Sequence, residues 1–137
     1  MTIGLIGAGV MARALGNGLV AGGVVPAQNL ICSAPTEEDG RPFLKAFPGS
    51  RWTADNAQVL RESDLTILAV KPQVLGAALA PLKEISAGKL ILSIAAGATL
   101  EKLGGWLHPT TRIVRAMPNT PMQIGRASCR ERVYGLV

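Results

Sequence analysis

The fold of this chain is decided by its opening stretch, Thr2-Ile3-Gly4-Leu5-Ile6-Gly7-Ala8-Gly9-Val10-Met11-Ala12, an apolar strand that ends in Gly-x-Gly-x-x-Ala and runs into a helix. Gly7 permits the tight turn after the strand, and Gly9 lets the backbone approach a pyrophosphate. Ala12 replaces the usual third glycine and is small enough for close helix–strand packing. The unpaired N–H groups and positive dipole end of the helix suit a phosphate dianion. The stretch predicts dinucleotide binding; the alternative is a glycine-rich turn without a ligand.

Strand-like and helix-like segments alternate along the rest of the chain. Further strands are predicted at 30–32, 51–53, 64–70, 89–95 and 111–116. Helices are predicted at 11–21, 37–47, 55–62, 73–85 and 99–107. Pro81 must kink or shorten the fourth helix, and Pro72 fits its first turn. Right-handed crossovers between such strands build a doubly wound, mostly parallel sheet, a Rossmann-like α/β fold, whose ligands bind at the carboxyl ends of the strands where strand order reverses.

Length and composition indicate one soluble globular domain. The 137 residues are 48% hydrophobic but only 4% aromatic, with 16 glycines, which is typical of an aliphatic α/β interior. No charged segment precedes an apolar signal-like run, and no apolar run approaches the roughly 18 residues of a membrane span, so we expect a cytoplasmic chain without a membrane partner. Cys32 and Cys129 lack metal-site spacing, and neither a metal nor a disulfide framework is predicted.

The net charge of +5 does not indicate nucleic-acid binding. Two of those five charges arise near the end of the chain, from Arg126, Arg130 and Arg132 against Glu131. The other basic residues form no tract and have no interleaved aromatic side chains, as the positions of Arg13, Arg41, Lys45, Arg51 and Arg61 show. We therefore expect no nucleic-acid partner.

Four turns at the expected carboxyl edge resemble one family. They are Ile3 to Ala12, Leu68-Ala69-Val70-Lys71-Pro72-Gln73, Ser93-Ile94-Ala95-Ala96-Gly97 and Arg115-Ala116-Met117-Pro118-Asn119-Thr120-Pro121. In this order they resemble pyrroline-5-carboxylate reductase, and the last stretch is the least generic. Any one of them alone can occur in a β-hydroxyacid or prephenate dehydrogenase. Val10 departs from the family pattern, which often has a polar residue there.

The resemblance implies a cofactor track along this edge. The pyrophosphate would be cradled by Gly7, Ala8, Gly9, Val10, Met11 and Ala12. The adenosine ribose and its substituent would be contacted by Ser33, Ala34, Pro35 and Thr36, with Asn56 on the adenosine side. The stretch between ribose and nicotinamide would be lined by Ala69, Val70, Lys71 and Pro72. Support would come from Ala95, Ala96 and Gly97, and the reacting ring would be bordered by Asn119 and Thr120.

Several of these residues also have simpler interpretations. Lys71 can be a solvated strand end, and Asn56 can be a helix-start cap. Pro118 and Pro121 can simply stiffen a loop. His108 is tempting as a catalytic acid, but it precedes Pro109 beyond a helix, and we interpret it as structural or solvent-facing.

The end of the second strand bears on cofactor choice. NAD-selective sites usually place Asp or Glu there to bind the ribose 2′-hydroxyl, whereas this chain has Cys32-Ser33. A neutral serine can hydrogen-bond a 2′-phosphate, so NADP is predicted and NAD remains possible. The acidic run Glu37 to Asp39 weakens that preference unless the helix dipole and solvent offset it, and Arg41 is the nearest counter-charge.

The resemblance implies hydride transfer from the nicotinamide to 1-pyrroline-5-carboxylate, giving L-proline. The chain contains no residue that we can assign as catalytic. In the family a helical C-terminal domain builds most of the substrate pocket and makes the dimer, so a full-length member is expected to be a homo-oligomer. We expect that domain to be absent from these 137 residues, leaving a cofactor-binding domain at 1–123 that is inactive alone.

The last residues break the pattern. Residues 124–133 have neither helical nor strand periodicity and resemble a translated sequencing adapter, so 124–137 is predicted to be a non-native tail; the alternative is a divergent natural terminus. Two other functions remain open. One is a stand-alone nucleotide-sensing module, and the other is a fragment of a β-hydroxyacid-type dehydrogenase.

Overall fold

A computed structural model describes residues 1–94 and 97–116, which form one sheet flanked by helices. The strands are β1 (Ile3–Ile6), β2 (Leu30–Ser33), β3 (Arg51–Thr53), β4 (Leu65–Leu68), β5 (Leu90–Ser93) and β6 (Arg112–Arg115). The helices are α1 (Val10–Ala21), α2 (Glu37–Ala46), α3 (Asn56–Glu62), α4 (Pro72–Leu79) and α5 (Leu100–Trp106). Short 3-10 turns occupy Ala27–Asn29 and Ala80–Leu82.

All six strands are parallel, in the order β3-β2-β1-β4-β5-β6. This confirms the doubly wound Rossmann-like sheet, and the order reverses between β1 and β4. The carboxyl ends are level, because Ile6 pairs with both Ser33 and Leu68, and Ser93 pairs with Leu68 and Arg115. The loops that follow these strands therefore meet along one edge.

Helix starts at this edge have identifiable causes. The Thr36 hydroxyl accepts a hydrogen bond from the Asp39 N–H at 3.2 Å and caps α2. The Thr99 hydroxyl accepts one from the Lys102 N–H at 3.2 Å and caps α5, as the sequence predicts. Pro72 occupies the first turn of α4, where its missing N–H needs no partner.

Helix α4 is shorter than residues 73–85, and this confirms the prediction that Pro81 must kink or shorten it. The α-helix stops at Leu79 and the chain continues as the 3-10 turn Ala80–Leu82. Pro81 has no N–H to donate to the preceding turn, and its ring crowds the carbonyl four residues earlier. The helix therefore ends before the proline.

Two apolar clusters cover opposite faces of the sheet. Neighbouring residues alternate between them, with Leu5 in the cluster under α1 and α2 and Ile6 in the cluster under α3, α4 and α5. Gly4 is buried in β1, and a β-carbon there would lie 2.0 Å from Ser63 Oγ, so α3 packs directly on the strand backbone. In the part of the chain that the structure describes, no helix is long and apolar enough to cross a bilayer.

Cys32 is enclosed in β2, and burial raises the pKa of its thiol to about 12 from an ordinary value of 9.0. At pH 8 the folded chain then holds about a thousandfold less thiolate than the unfolded chain. In a Cys129→Ser background we expect native Cys32 to react with a disulfide reagent at least about a hundredfold more slowly than after urea unfolding. Reaction rates followed by released chromophore give the comparison, and equal rates would contradict a buried thiol.

Candidate dinucleotide-binding site

The turn after β1 lies against the turn after β4, at the point where strand order reverses. Gly7 has φ +113°, and a β-carbon there would lie 2.9 Å from the Ala69 carbonyl oxygen. The Ala69 N–H donates to the Ile6 carbonyl at 2.9 Å and holds the two strand ends together. Only glycine combines this φ with this close approach.

Gly9 has the opposite surroundings, because it faces open space. It precedes α1, is exposed, and has no heavy atom within 4 Å of a β-carbon position. The Arg13 N–H donates to the Gly9 carbonyl at 3.0 Å as the first bond of the helix, so the N–H groups of the preceding turn have no intrahelical acceptor. An anion above Gly9 would meet these donors and the positive end of a 12-residue helix.

Side chains around the glycine turn divide into packing and exposed groups. Ala8 and Ala12 are buried, at 8% and 0% exposure, which agrees with Ala12 in the role of the packing glycine. Val10 and Met11 are 74% and 41% exposed, unusual for large apolar side chains on a first helical turn. They lie where the resemblance expects a pyrophosphate.

Ser33 supports the glycine turn from below. Its side chain is buried, and the Gly7 N–H donates to the Ser33 carbonyl at 3.1 Å and approaches its Oγ at 3.4 Å. Within the stretch Ser33 to Thr36, solvent reaches Pro35 and Thr36, whereas Ala34 is 8% exposed. A direct contact between Ser33 and a 2′-phosphate stays a prediction.

Two residues that sequence reasoning missed hold the ends of β2 and β3 and the start of α3 together. The Trp52 indole N–H donates to the Ala34 carbonyl at 3.3 Å. The Thr53 hydroxyl donates to Gln58 Oε1 at 2.8 Å and accepts from the Asp55 N–H at 3.1 Å. The sequence signal that could have identified them is a tryptophan and a threonine at the end of a short predicted edge strand.

Asn56 is half-buried and begins α3. The preceding residue is the cap, because the Asp55 carboxylate accepts from the Ala57 N–H at 2.9 Å. The interpretation of Asn56 as a helix-start cap was therefore wrong. A role beside adenosine stays a prediction.

The turn after β4 contains the residues predicted to line the cofactor between ribose and nicotinamide. Ala69 and Val70 are half-buried, whereas Lys71 and Pro72 are exposed. Lys71 precedes the first turn of α4 and makes no side-chain cap. Gly97 is exposed at φ +78°, while Ala95, Ala96, Asn119 and Thr120 lie outside the described residues.

His108 lies at the opposite edge of the sheet, between α5 and the start of β6. Its N–H donates to Ser86 Oγ at 2.9 Å, and its Nδ1 accepts from the Thr110 N–H at 3.2 Å. The geometry agrees with a structural histidine and separates it from the candidate site.

Charges near the site are exposed. Glu37, Glu38 and Asp39 occupy the first turn of α2, where the helix dipole favours them. The ion pairs found among residues 1–94 and 97–116 join Arg51 to Glu62 and Arg61 to Asp55, so Arg41 takes part in neither. The Arg51 guanidinium lowers the pKa of the Glu62 carboxyl. Residues 1–94 and 97–116 contain no cluster of His, Cys, Asp and Glu side chains that could hold a metal ion.

The parallel sheet, its reversal point and the glycine turn define an α/β domain of Rossmann-like fold. The chain belongs to the family described as NADP oxidoreductase, coenzyme F420-dependent, whose model matches residues 2–97. It is 45% identical over 124 residues to pyrroline-5-carboxylate reductase of Vibrio alginolyticus, covering 90% of this chain and 45% of that protein.

Solved structures with the same fold include members of the same group of reductases. A pyrroline-5-carboxylate reductase from Coxiella burnetii superposes with a TM-score of 0.79 at 36% identity, over 88% of this chain and 44% of that one. The Plasmodium falciparum pyrroline carboxylate reductase with NADP bound has a TM-score of 0.75 at 28% identity, over 88% and 43% of the two chains. This chain thus spans less than half the length of these relatives.

Proposed function

We propose that this chain is the cofactor-binding part of a pyrroline-5-carboxylate reductase, an NAD(P)H-dependent oxidoreductase that makes L-proline. The observation that carries the proposal is 45% identity to such a reductase over 90% of the chain. The glycine turn at the reversal point supports it, because that is where a dinucleotide binds in doubly wound sheets. The curated relatives are named pyrroline-5-carboxylate reductases, so we assign 1-pyrroline-5-carboxylate rather than coenzyme F420 as the hydride acceptor.

The bound nicotinamide would supply the hydride for the C=N bond of 1-pyrroline-5-carboxylate. In this proposal the turn from Gly7 to Ala12 binds the pyrophosphate through those of its backbone N–H groups that have no acceptor within the helix. Lys71 and Pro72 border the path toward the nicotinamide, and the predicted contacts of Ala95, Ala96, Asn119 and Thr120 lie further along it. This domain would then contribute to catalysis by orienting the nicotinamide ring.

We propose NADP as the preferred cofactor, with NAD as the weaker one. The family's description names NADP, and the Plasmodium falciparum relative holds it. The second strand ends in Ser33 rather than in an acidic residue, so no carboxylate is placed to repel a 2′-phosphate at that position. Pro35 and Thr36 are the exposed residues between Ser33 and α2, and we place the extra phosphate beside them.

We further propose the setting in which this domain acts. The whole protein would be a cytoplasmic homo-oligomer with a small-molecule substrate and with neither nucleic-acid nor membrane partners. Residues 1–123 would form the cofactor domain, a helical C-terminal domain would complete the substrate pocket, and 124–137 would be a non-native tail. Sequencing the coding DNA tests the tail, since codons unlike an adapter would contradict it.

The activity is tested on the uninterrupted gene. Its product is expected to oxidise NADPH with 1-pyrroline-5-carboxylate and to leave β-hydroxyacids unchanged, as followed by absorbance of the reduced cofactor. The 137-residue chain, assayed beside it, is expected to show little turnover. Oxidation of a β-hydroxyacid without imine reduction would assign the chain to the other dehydrogenase class, and a stop codon near Val137 in clean genomic DNA would favour a stand-alone nucleotide-binding module.

A further inference from the structure

A tryptophan on the edge strand contacts the loop between β2 and α2 at both of its ends. Trp52 lies on β3 beside Cys32 of β2, and its indole N–H donates to the Ala34 carbonyl at 3.3 Å. The Ala34 N–H donates to the Thr53 carbonyl at 3.2 Å. Both polar backbone groups of Ala34 are therefore bonded to consecutive residues of β3.

The other end of this loop packs on the ring of the same tryptophan. Gly40 is buried near the start of α2, and a β-carbon there would overlap Trp52 Cδ1 and lie 2.9 Å from Trp52 Nε1. The helix backbone thus lies directly on the indole, which only glycine allows. The Gly40 N–H donates to the Thr36 carbonyl at 3.2 Å. One indole therefore fixes the loop residues Pro35 and Thr36 between Ala34 and Gly40.

The position of this loop affects the choice between NADP and NAD, so the inference rests on the function proposed above. NADP differs from NAD only in its 2′-phosphate, which that proposal places beside Pro35 and Thr36. The carboxylates of the acidic run Glu37 to Asp39 repel a phosphate, whereas the N–H groups at the start of α2 attract it. The balance between these effects depends on where the start of α2 lies.

We propose that Trp52 is a positioning residue for the 2′-phosphate and sets the preference for NADP over NAD by acting through this loop. Among the described residues β3 is the outermost strand on its side of the sheet, so no further strand supports the loop there. The turn from Gly7 to Ala12 belongs to β1 and α1, and the pyrophosphate proposed to bind it is common to both cofactors. A change at Trp52 is therefore expected to weaken NADP binding and to leave NAD binding nearly unchanged.

The dissociation constants for NADPH and NADH test this proposal on the 137-residue chain. Trp52→Phe keeps an aromatic ring but removes the N–H, and one neutral hydrogen bond corresponds to about a fivefold change in an equilibrium constant. We expect the variant to bind NADPH at least about fivefold more weakly and to bind NADH within about twofold of the parent chain. Titrations followed by nicotinamide fluorescence give both constants, and circular dichroism checks folding.

Trp106→Phe is the matched control. Trp106 is half-buried like Trp52 and also packs on a helix glycine, since a β-carbon at Gly76 would lie 3.0 Å from its Cζ2. It belongs to the cluster under α3, α4 and α5, on the opposite face of the sheet from the cluster that Trp52 joins. Its substitution should leave the ratio of the two dissociation constants within about twofold of the parent value.

The possible outcomes separate this inference from the proposed function. If Trp52→Phe weakens NADPH and NADH binding by the same factor, the tryptophan is structural only and the inference is overturned, while the proposed cofactor site stands. A folded parent chain that binds neither cofactor would contradict the proposed function and this inference with it.

The unsubstituted side chain supplies a second test, which decides the matter even if Trp52→Phe fails to fold. Coupling between two sites is reciprocal, so a hydrogen bond that favours the 2′-phosphate is itself stabilised when the phosphate binds. We expect saturating NADP to slow hydrogen exchange of the Trp52 indole N–H at least about fivefold more than saturating NAD does. The chain has two tryptophans, and the signal lost in Trp106→Phe assigns the two indole resonances in NMR spectra. Equal protection by NADP and NAD would overturn the proposal.

Discussion

Replacing Gly9 by valine is expected to weaken NADPH binding at least about thirtyfold, equivalent to about 2 kcal/mol, while leaving the fold intact. No heavy atom lies within 4 Å of a β-carbon at Gly9, and its φ of −80° is open to any L-residue. The valine side chain would fill the space in which the pyrophosphate approaches the first turn of α1. Loss of stability should stay below about 1 kcal/mol, the usual effect of a poorer helix cap. Fluorescence titration with NADPH and urea unfolding measure the two quantities.

Substitutions at two other glycines serve as controls for Gly9→Val. Gly105 lies in α5 with open space around its β-carbon position, and Gly105→Ala is expected to bind NADPH normally. Gly7→Val should damage both binding and stability, because its β-carbon would press on the Ala69 carbonyl at an unfavourable φ. If Gly9→Val binds NADPH as tightly as the parent chain, the pyrophosphate does not lie over this turn.

Gly4→Ala is expected to reduce the free energy of unfolding by about 3 kcal/mol and Tm by about 12 °C. The new methyl group would lie 2.0 Å from Ser63 Oγ and 2.6 Å from Val59 Cγ1. Ser63 Oγ already donates to the Val59 carbonyl at 2.5 Å, so it cannot move aside without losing a buried hydrogen bond. The strand or α3 must shift instead. Urea unfolding at equilibrium gives the change directly.

A second substitution tests this cause. Ser63→Ala removes the oxygen nearest to the added methyl group, so the double variant Gly4→Ala/Ser63→Ala should be more stable than the two single changes predict by addition. Strict additivity would show that the loss in Gly4→Ala comes from elsewhere. Recovery should be partial, because Val59 remains within 2.6 Å of the methyl position.

Much of the fold follows from local patterns. The alternation of apolar runs with helical segments predicts the order of elements, and the doubly wound sheet follows because right-handed crossovers leave few alternatives. Gly7 and Ala12 were assigned to turn and packing from spacing alone, and their φ and burial agree. Pro81 was predicted to kink or shorten α4, and the structure shows that the helix is shortened.

The remaining features depend on contacts between distant residues. Ser33 was predicted to hydrogen-bond a 2′-phosphate; its contact with Gly7, 26 residues away in sequence, is a separate feature that no local pattern shows. Asp55 rather than Asn56 caps α3 because Asp55 is the residue with an extended backbone directly before the helix. The sequence does not show which of two adjacent residues has that conformation. The half-burial of Leu90 and Leu92 was invisible for a different reason: every residue from Leu90 to Leu92 is apolar, so the sequence cannot tell a fully covered side of β5 from a partly covered one.

We propose that the turn from Gly7 to Ala12 holds the pyrophosphate of NADP. Titration of the folded 137-residue chain with NADPH, followed by the fluorescence of the reduced nicotinamide, tests it most directly. We predict saturable binding of one NADPH per chain at micromolar to submillimolar concentration, displaced by NADP and weakened by Gly9→Val. A chain that is folded by circular dichroism yet binds no NADPH up to millimolar concentration would contradict it.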